Sequence, residues 1–153
     1  MNTLIVNSPI GPLQLIAENG ALLEIRFPGQ HVDAPAGDGT DPALGAARSQ
    51  LAEYFQGDRR SFQLPLAASG TVFQKQVWQA LAEIPYGQLR SYRDIALSIG
   101  KERAVRAVGA ANGRNPLPIV VPCHRVIGSN GSLTGFAGGL EAKKTLLEIE
   151  GAI

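Results

Sequence analysis

The sequence predicts an α/β protein of two domains: a small N-terminal sheet with a helix, then a helical C-terminal domain carrying a helix-turn-helix. Three observations predict it. Apolar runs in the first third are short and separated by turn residues, as strands are. From Thr71 onward apolar residues recur at helical spacing instead. The charge also changes sign: residues 1–70 hold four basic and seven acidic residues, a net −3, whereas residues 71–153 hold ten and six, a net +4. The boundary is set between 70 and 71.

The elements follow in order. "TLIVNS", "PLQLIAE" and "ALLEIRF" read as strands, punctuated by Pro9, Gly11-Pro12 and Asn19-Gly20. Asn-Gly between apolar runs is a strong hairpin signal. "FPGQHVDAPAGDGTDP" is a loop rich in Gly, Pro and Asp, and its His31 is an ordinary surface histidine. A helix follows, capped by Asp41 with Pro42 at its first position, through "ALGAARSQLAEYF" to Gly57. "RRSFQLPLAASG" holds one more short strand and a linker. Phe73, Val77, Ala80, Leu81 and Ile84 then mark a helix that ends at Pro85-Tyr86-Gly87. Ser91 and Asp94 open a short helix as a capping box, Gly100 breaks it, and a second helix carries Arg103, Ala104, Arg106, Ala107 and Ala110. Two short helices about a glycine turn, the second one basic, read as a helix-turn-helix. The tail is a loop, "GSNGSLTGFAGG", read as a lid, then a helix, "LEAKKTLLEIE", stopped by Gly151.

Composition narrows the class. The chain has 153 residues, 44% apolar and 18% charged, which suits a water-soluble globular protein with a real core. No run approaches 18 apolar residues, so no membrane span is expected. "MNTLIVNSPIG" has neither a basic stretch nor a long apolar stretch, so no signal peptide is expected. One cysteine cannot form an internal disulfide, which favours a cytoplasmic location. One Cys and two His do not furnish a structural zinc site. From Arg90 to Arg125 seven basic residues face only Asp94 and Glu102, a net +5 that suits a polyanion partner.

The single cysteine, Cys123, stands in "NPLPIVVPCHRVIGSNG" beside His124. A lone cysteine is most often a buried structural residue. A nucleophilic one needs a base or a positive field, because the thiolate is the reactive form. Adjacent side chains in an extended segment point apart, so Cys123 and His124 need a turn or a water relay to communicate. The histidine also wants an orienting carboxylate. Glu150, Glu148 and Glu83 are the candidates, and spacing does not separate them.

"PCHRVIG" resembles the active-site signature of the O6-alkylguanine-DNA alkyltransferases. The likeness extends through "SYRDIA", "RAVGAANGRNPLPIVVPCHRVIGSNGSLTGFAGGL" and "KKTLLEIEG", covering about residues 72–151. The resemblance implies a ribonuclease H-like N-terminal domain and a winged-helix-like C-terminal domain. It implies direct-reversal repair of double-stranded DNA: an O6-alkylguanine is flipped out and Cys123 takes its alkyl group in an SN2-like displacement, irreversibly and once per chain. O4-alkylthymine is a further possible lesion on the same chemistry. By the resemblance His124 is the base, acting through a water and oriented by Glu150. Tyr92 contacts the target base and promotes rotation of its phosphate. Arg106 fills the vacated stack, Arg103 binds DNA beside it, and Asn115 is a hinge between recognition helix and active-site segment. Arg125 holds structure, while backbone groups around Val126 and the lid bind the guanine edges. Phe136 stands where relatives commonly carry Tyr, so a contact through that hydroxyl is lacking. No cofactor and no metal are implied, and the partner is DNA, met by a monomer with cooperativity on DNA as an open feature. The rivals are a non-catalytic alkyltransferase-like lesion binder, which lacks the cysteine, and a cysteine hydrolase, which needs an oxyanion site.

Overall fold

A computed structural model of the chain describes residues 2–32 and 39–153. Residues 33–38, in the loop expected over 27–42, lie outside the described residues. The chain divides into two compact units, Met1–Ser69 and Gly70–Ile153.

In the first unit three antiparallel strands, β1 (Asn2–Val6), β2 (Leu13–Glu18) and β3 (Ala21–Arg26), form a sheet in sequential order. Asn19 and Gly20 both take positive φ, +52° and +78°, as a two-residue type I′ hairpin requires. A bulge between Ile16 and Ala17 shifts the β2–β3 register. The helix α1 (Pro42–Phe55) buries Leu44, Ala47, Leu51 and Tyr54. Asp41 caps it by accepting from Ala43 N–H, and its other oxygen accepts from Gly20 N–H at 3.0 Å. One carboxylate thus ties the hairpin turn to the helix start. The strand expected in "RRSFQLPLAASG" shrinks to a single parallel bridge, Leu22 to Leu66. Pro65 has no N–H to extend a ladder, so pairing stops after Leu22 N–H reaches the Pro65 carbonyl and Ala67 N–H returns to Leu22. His31 is exposed and meets the Pro12 carbonyl through Nε2 at 3.0 Å.

The second unit is mostly helical: α2 (Val72–Ala82), α3 (Tyr92–Ser98), α4 (Val105–Gly113) and α5 (Leu140–Ile149). Two short parallel strands, β4 (Arg90–Ser91) and β5 (Val126–Ile127), join them. Thr71 and Gln74 form a full capping box on α2, and Ser91 and Asp94 form another on α3. Gly100 turns the chain at φ +72°. The second helix of the pair begins later than its sequence suggests. Arg103 and Ala104 precede α4, because Ala104 N–H closes a turn onto Lys101 O at 2.8 Å instead of continuing a helix. The Trp78 indole donates to the Ala111 carbonyl at 2.8 Å, pinning α4 to α2 inside the core. No helix among the described residues is long and apolar enough to cross a membrane.

Candidate active site

Asn115 to Pro122 deliver the chain to Cys123 through a tight, buried arm. Asn115 knots it: its Nδ2 donates to the Val121 carbonyl at 2.8 Å, and its Oδ1 accepts from Leu117 N–H at 3.0 Å. Val121 N–H closes onto Leu117 O at 2.8 Å. Ile119, inside this loop, sits at φ +74° while almost fully buried. A β-branched residue in that region is a true backbone outlier, held here by the arm around it. Cys123, His124 and Arg125 then form one turn of 3-10 helix, all buried.

The turn separates the roles of three consecutive side chains. His124 has no exposed surface and donates from Nε2 to Glu150 Oε2 at 2.6 Å. That bond fixes the tautomer and leaves Nδ1 as a bare acceptor. Nδ1 is buried without a hydrogen-bond partner, so the thiol does not bond it directly. Burial lowers the His124 pKa, outweighing the hydrogen bond and charge of Glu150, so the ring is held neutral. Arg125 grips the same carboxylate in two-point fashion: Nε reaches Oε1 at 2.7 Å and Nη2 reaches Oε2 at 3.1 Å. Its Nη1 donates to Ile84 O at 2.6 Å, and its guanidinium carbon lies 5.7 Å from the Tyr86 ring centroid. Gly87 N–H adds a donor to Glu150 Oε1 at 3.3 Å. At Gly87, φ is +78° and a Cβ would stand 3.0 Å from the Glu150 carbonyl, so this turn suits glycine alone. Glu150 is therefore the carboxylate among the three candidates that meets the histidine; Glu148 and Glu83 are exposed.

Burial pushes the Cys123 thiol up to about 11; the Asn115 side chain, the Lys143 charge and the local backbone oppose this without cancelling it. At neutral pH the resting group is the thiol. Lys143 escaped the sequence reading. It is fully buried on α5 and donates from Nζ to Val126 O at 2.6 Å and Thr134 O at 2.8 Å. Desolvation lowers its pKa to about 8, and Cys123 draws it back up. The Val126 carbonyl, one of the backbone groups in the region that the resemblance sets against the guanine edges, thus already serves the lysine, with its second lone pair available. Val126 N–H returns to Cys123 O. Asn112 also escaped notice: it is buried on α4 with Nδ2 3.5 Å from Cys123 O.

Tyr92, first residue of α3, bonds its hydroxyl to Thr134 Oγ1 at 3.0 Å, linking the helix pair to the loop over residues 128–139. Arg106 projects from the exposed face of α4, flanked by Arg103 and Arg114, with Ala107 and Ala110 exposed beside it. All five are exposed, whereas Cys123, His124, Arg125 and Glu150 are buried. Phe136 is half-buried in the loop, with its carbonyl accepting from Gly139 N–H at 2.9 Å. An open groove of about 720 Å³ between α2 and α3, lined by Ile84, Arg90, Asp94 and Leu97 among others, contains neither Cys123 nor His124. Among the described residues no group of three or more His, Cys, Asp or Glu is placed to hold a metal ion.

A buried thiol with a polarised neutral imidazole beside it, set behind a basic helix-turn-helix, defines a DNA-directed thiol acceptor. Comparison with known proteins agrees. Residues 72–152 match the 6-O-methylguanine DNA methyltransferase DNA binding domain, and residues 2–68 match the ribonuclease-like domain of the same proteins. The chain is 51% identical over 150 residues to a methylated-DNA–protein-cysteine methyltransferase of Methanosarcina barkeri, covering 95% of this chain and 94% of that one. A constitutive methyltransferase of Bacillus subtilis so named is 61% identical over 110 residues, covering 71% and 67%. The crystal structure of Mycobacterium tuberculosis OGT in complex with DNA superposes with a TM-score of 0.92 at 45% identity, covering 99% of this chain and 94% of that one. The chain belongs to the 6-O-methylguanine DNA methyltransferase family. Its function is DNA repair by direct alkyl transfer to a protein cysteine, and a non-reacting lesion binder is not supported.

Proposed function

We propose that the chain removes the alkyl group from O6-alkylguanine in double-stranded DNA, acting as a monomer, and that Cys123 keeps it. One observation carries this reading: the only cysteine in the chain lies beside a buried histidine whose Nε2 is committed to Glu150 and whose Nδ1 is free.

The chemistry follows from the geometry. A thiol raised to about 11 is inert until something accepts its proton. His124 Nδ1 is the acceptor, and a water molecule carries the proton to it. Glu150, locked by Arg125 and Gly87 N–H, stabilises the imidazolium that forms. The thiolate sulfur attacks the alkyl carbon, the carbon–O6 bond breaks, and its electron pair returns to the guanine, which takes at N1 the proton that the imidazolium gives back through water. The product thioether is not hydrolysed, so each chain acts once.

Access requires the base to leave the stack. The exposed face of α4 fits the minor groove because Ala107 and Ala110 let the backbone approach closely, and Arg106 fills the gap, supported by Arg103. Tyr92 meets the target nucleotide, and Asn115 sets the angle between α4 and the cysteine arm. The surrounding positive charge gives affinity for phosphates without sequence preference.

The test is intact-protein mass spectrometry after incubation with a duplex containing one O6-methylguanine. The expected result is one methyl adduct per chain, mapped to Cys123, with no further release of repaired guanine at excess substrate. Turnover beyond one equivalent overturns the single-use reading, and an adduct elsewhere overturns the site.

A further inference from the structure

Ile119 combines a left-handed backbone, at φ +74°, with a β-branched side chain that is only 1% exposed. Among the described residues Asn19 is the other non-glycine at positive φ, and its Asn-Gly hairpin explains it. Ile119 has no such account. A positive φ directly after proline is where turn chemistry calls for glycine, and Pro118 precedes Ile119. Backbone strain of this kind persists only where the surroundings over-determine it, and it clusters at functional sites. Leu117, Pro118 and Val121 are buried with Ile119.

The strained turn reaches the reacting residue through one carbonyl. The reversal at Ile119 lets Val121 N–H close onto Leu117 O at 2.8 Å. Val121 O then accepts twice: from Asn115 Nδ2 at 2.8 Å and from Cys123 N–H at 2.8 Å. The second bond spans only Pro122, whose φ of −81° and ψ of +65° make an inverse γ-turn. The proline ring allows φ little change, so the direction in which Cys123 leaves the arm follows the Val121 carbonyl. We propose that Ile119 is a positioning residue for the transfer reaction: burial of its side chain holds a strained backbone turn, and that turn aims the Val121 carbonyl from which Cys123 hangs. Ile119 acts through the backbone and touches no substrate. The proposal rests on the transfer reading above.

Glycine adopts positive φ without steric penalty, and alanine does not. Packing alone ranks the variants by lost side chain, with Ile119→Gly worse than Ile119→Ala. Positioning through the backbone reverses that order. The experiment measures single-turnover methyl transfer from an O6-methylguanine duplex, affinity for undamaged duplex, and iodoacetamide reaction of the DNA-free thiol at pH 8. Ile119→Ala is expected to transfer about tenfold more slowly at unchanged affinity. Its thiol is expected to react with iodoacetamide about tenfold faster, because a loosened arm lets water reach a group that burial keeps protonated. That acceleration should change little in low urea, as local opening does and global unfolding does not. Ile119→Gly is expected to transfer about fivefold faster than Ile119→Ala and to react more slowly with iodoacetamide. If Ile119→Gly is as slow in transfer as Ile119→Ala, or fails to fold where Ile119→Ala folds, the proposal is overturned and Ile119 is an ordinary core residue. If neither folds, Ile119→Val is read instead, since it keeps the branching and the strain and loses one methyl group. Slower transfer together with faster iodoacetamide reaction then supports the proposal, and any other pair of rates overturns it. Failure of wild type to methylate, with the iodoacetamide ranking intact, overturns the transfer reading instead.

Discussion

His124 donates from Nε2 to Glu150 Oε2 across 2.6 Å, and neither side chain has any exposed surface. The carboxylate simultaneously holds Arg125, so Glu150 joins the reacting turn to the C-terminal end of α5. Glu150→Gln keeps the shape and removes the charge. Breaking a buried pair by one partner costs about 3–5 kcal/mol, because the other charge is left buried alone. The variant is expected to unfold at lower urea and to transfer methyl groups far more slowly. A variant as stable as wild type with an unchanged rate removes Glu150 from both roles.

The same hub sets a pH response. The folded His124 pKa is lowered from 6.5, so below 6.5 the unfolded chain binds a proton that the folded chain refuses. The contribution of neutral His124 is complete above 6.5 and is lost as pH falls through 6.5 toward the folded value. Urea midpoints are expected to drop on going from pH 7 to pH 5 more in wild type than in His124→Gln. Parallel profiles in the two proteins would mean that other groups govern acid sensitivity.

The thiol gives the opposite limb. Its folded pKa, about 11 against an ordinary 9.0, means the neutral form stabilises the fold below 9 and that stability is lost as pH rises from 9 through 11. In chemical terms, DNA-free protein is expected to react with iodoacetamide slowly at pH 8. The rate is then expected to keep climbing, up to tenfold per pH unit, past the point where an exposed thiol levels off. A plateau near pH 8.5 in wild type shows that the DNA-free pocket already stabilises the thiolate.

Particular residues show what the sequence made legible. The hairpin at Asn19-Gly20 and the cap at Asp41-Pro42 are set by local backbone chemistry, so short motifs suffice to read them. Cys123 and His124 were readable through "PCHRVIG". Choosing Glu150 over Glu148 or Glu83 from spacing alone was not possible, since the choice depends on how the last turn of α5 meets a segment 26 residues earlier. Arg103 and Ala104 look helical by propensity, yet a local turn onto Lys101 takes their place in the helix. Lys143 drew no assignment from the sequence, although it shares the apolar face with Leu146 and Leu147, three and four residues on. Asn112 likewise follows Val108 by four residues on a buried face. A polar residue at an apolar position of the helical repeat was the available signal in both cases.

The role proposed for Arg106 allows base flipping to be separated from chemistry. Arg106 is exposed on α4 and distant in the sequence from the thiol, so its loss leaves the reacting hub intact. Arg106→Ala is expected to slow repair of duplex O6-methylguanine by about tenfold or more while leaving reaction with free O6-benzylguanine, which needs no flipping, within about twofold. Equal slowing on both substrates would make Arg106 a general structural or electrostatic residue.

Tyr92 and Thr134 provide the last test, because their contact in the DNA-free protein competes with the role proposed for Tyr92 on DNA. The phenol bonds Thr134 Oγ1 at 3.0 Å, while Lys143 holds the Thr134 carbonyl from the other side at 2.8 Å. Thr134 is thus anchored by its backbone and offers only its hydroxyl to the tyrosine. If Tyr92 turns to the flipped nucleotide, that hydroxyl bond must break, at a net cost of about 1 kcal/mol, or roughly fivefold in affinity. Thr134→Val keeps the side-chain volume and the lysine contact but removes the competitor. It is expected to bind lesion-containing duplex several-fold more tightly than wild type, measured with Cys123→Ser in both backgrounds so that no transfer occurs. Tyr92→Phe loses the hydroxyl in both states and is expected to bind more weakly. In the Tyr92→Phe background, Thr134→Val should then have no effect on affinity, since the bond it removes is already gone. A gain that persists in that background would mean Thr134 acts through the loop alone, independently of Tyr92.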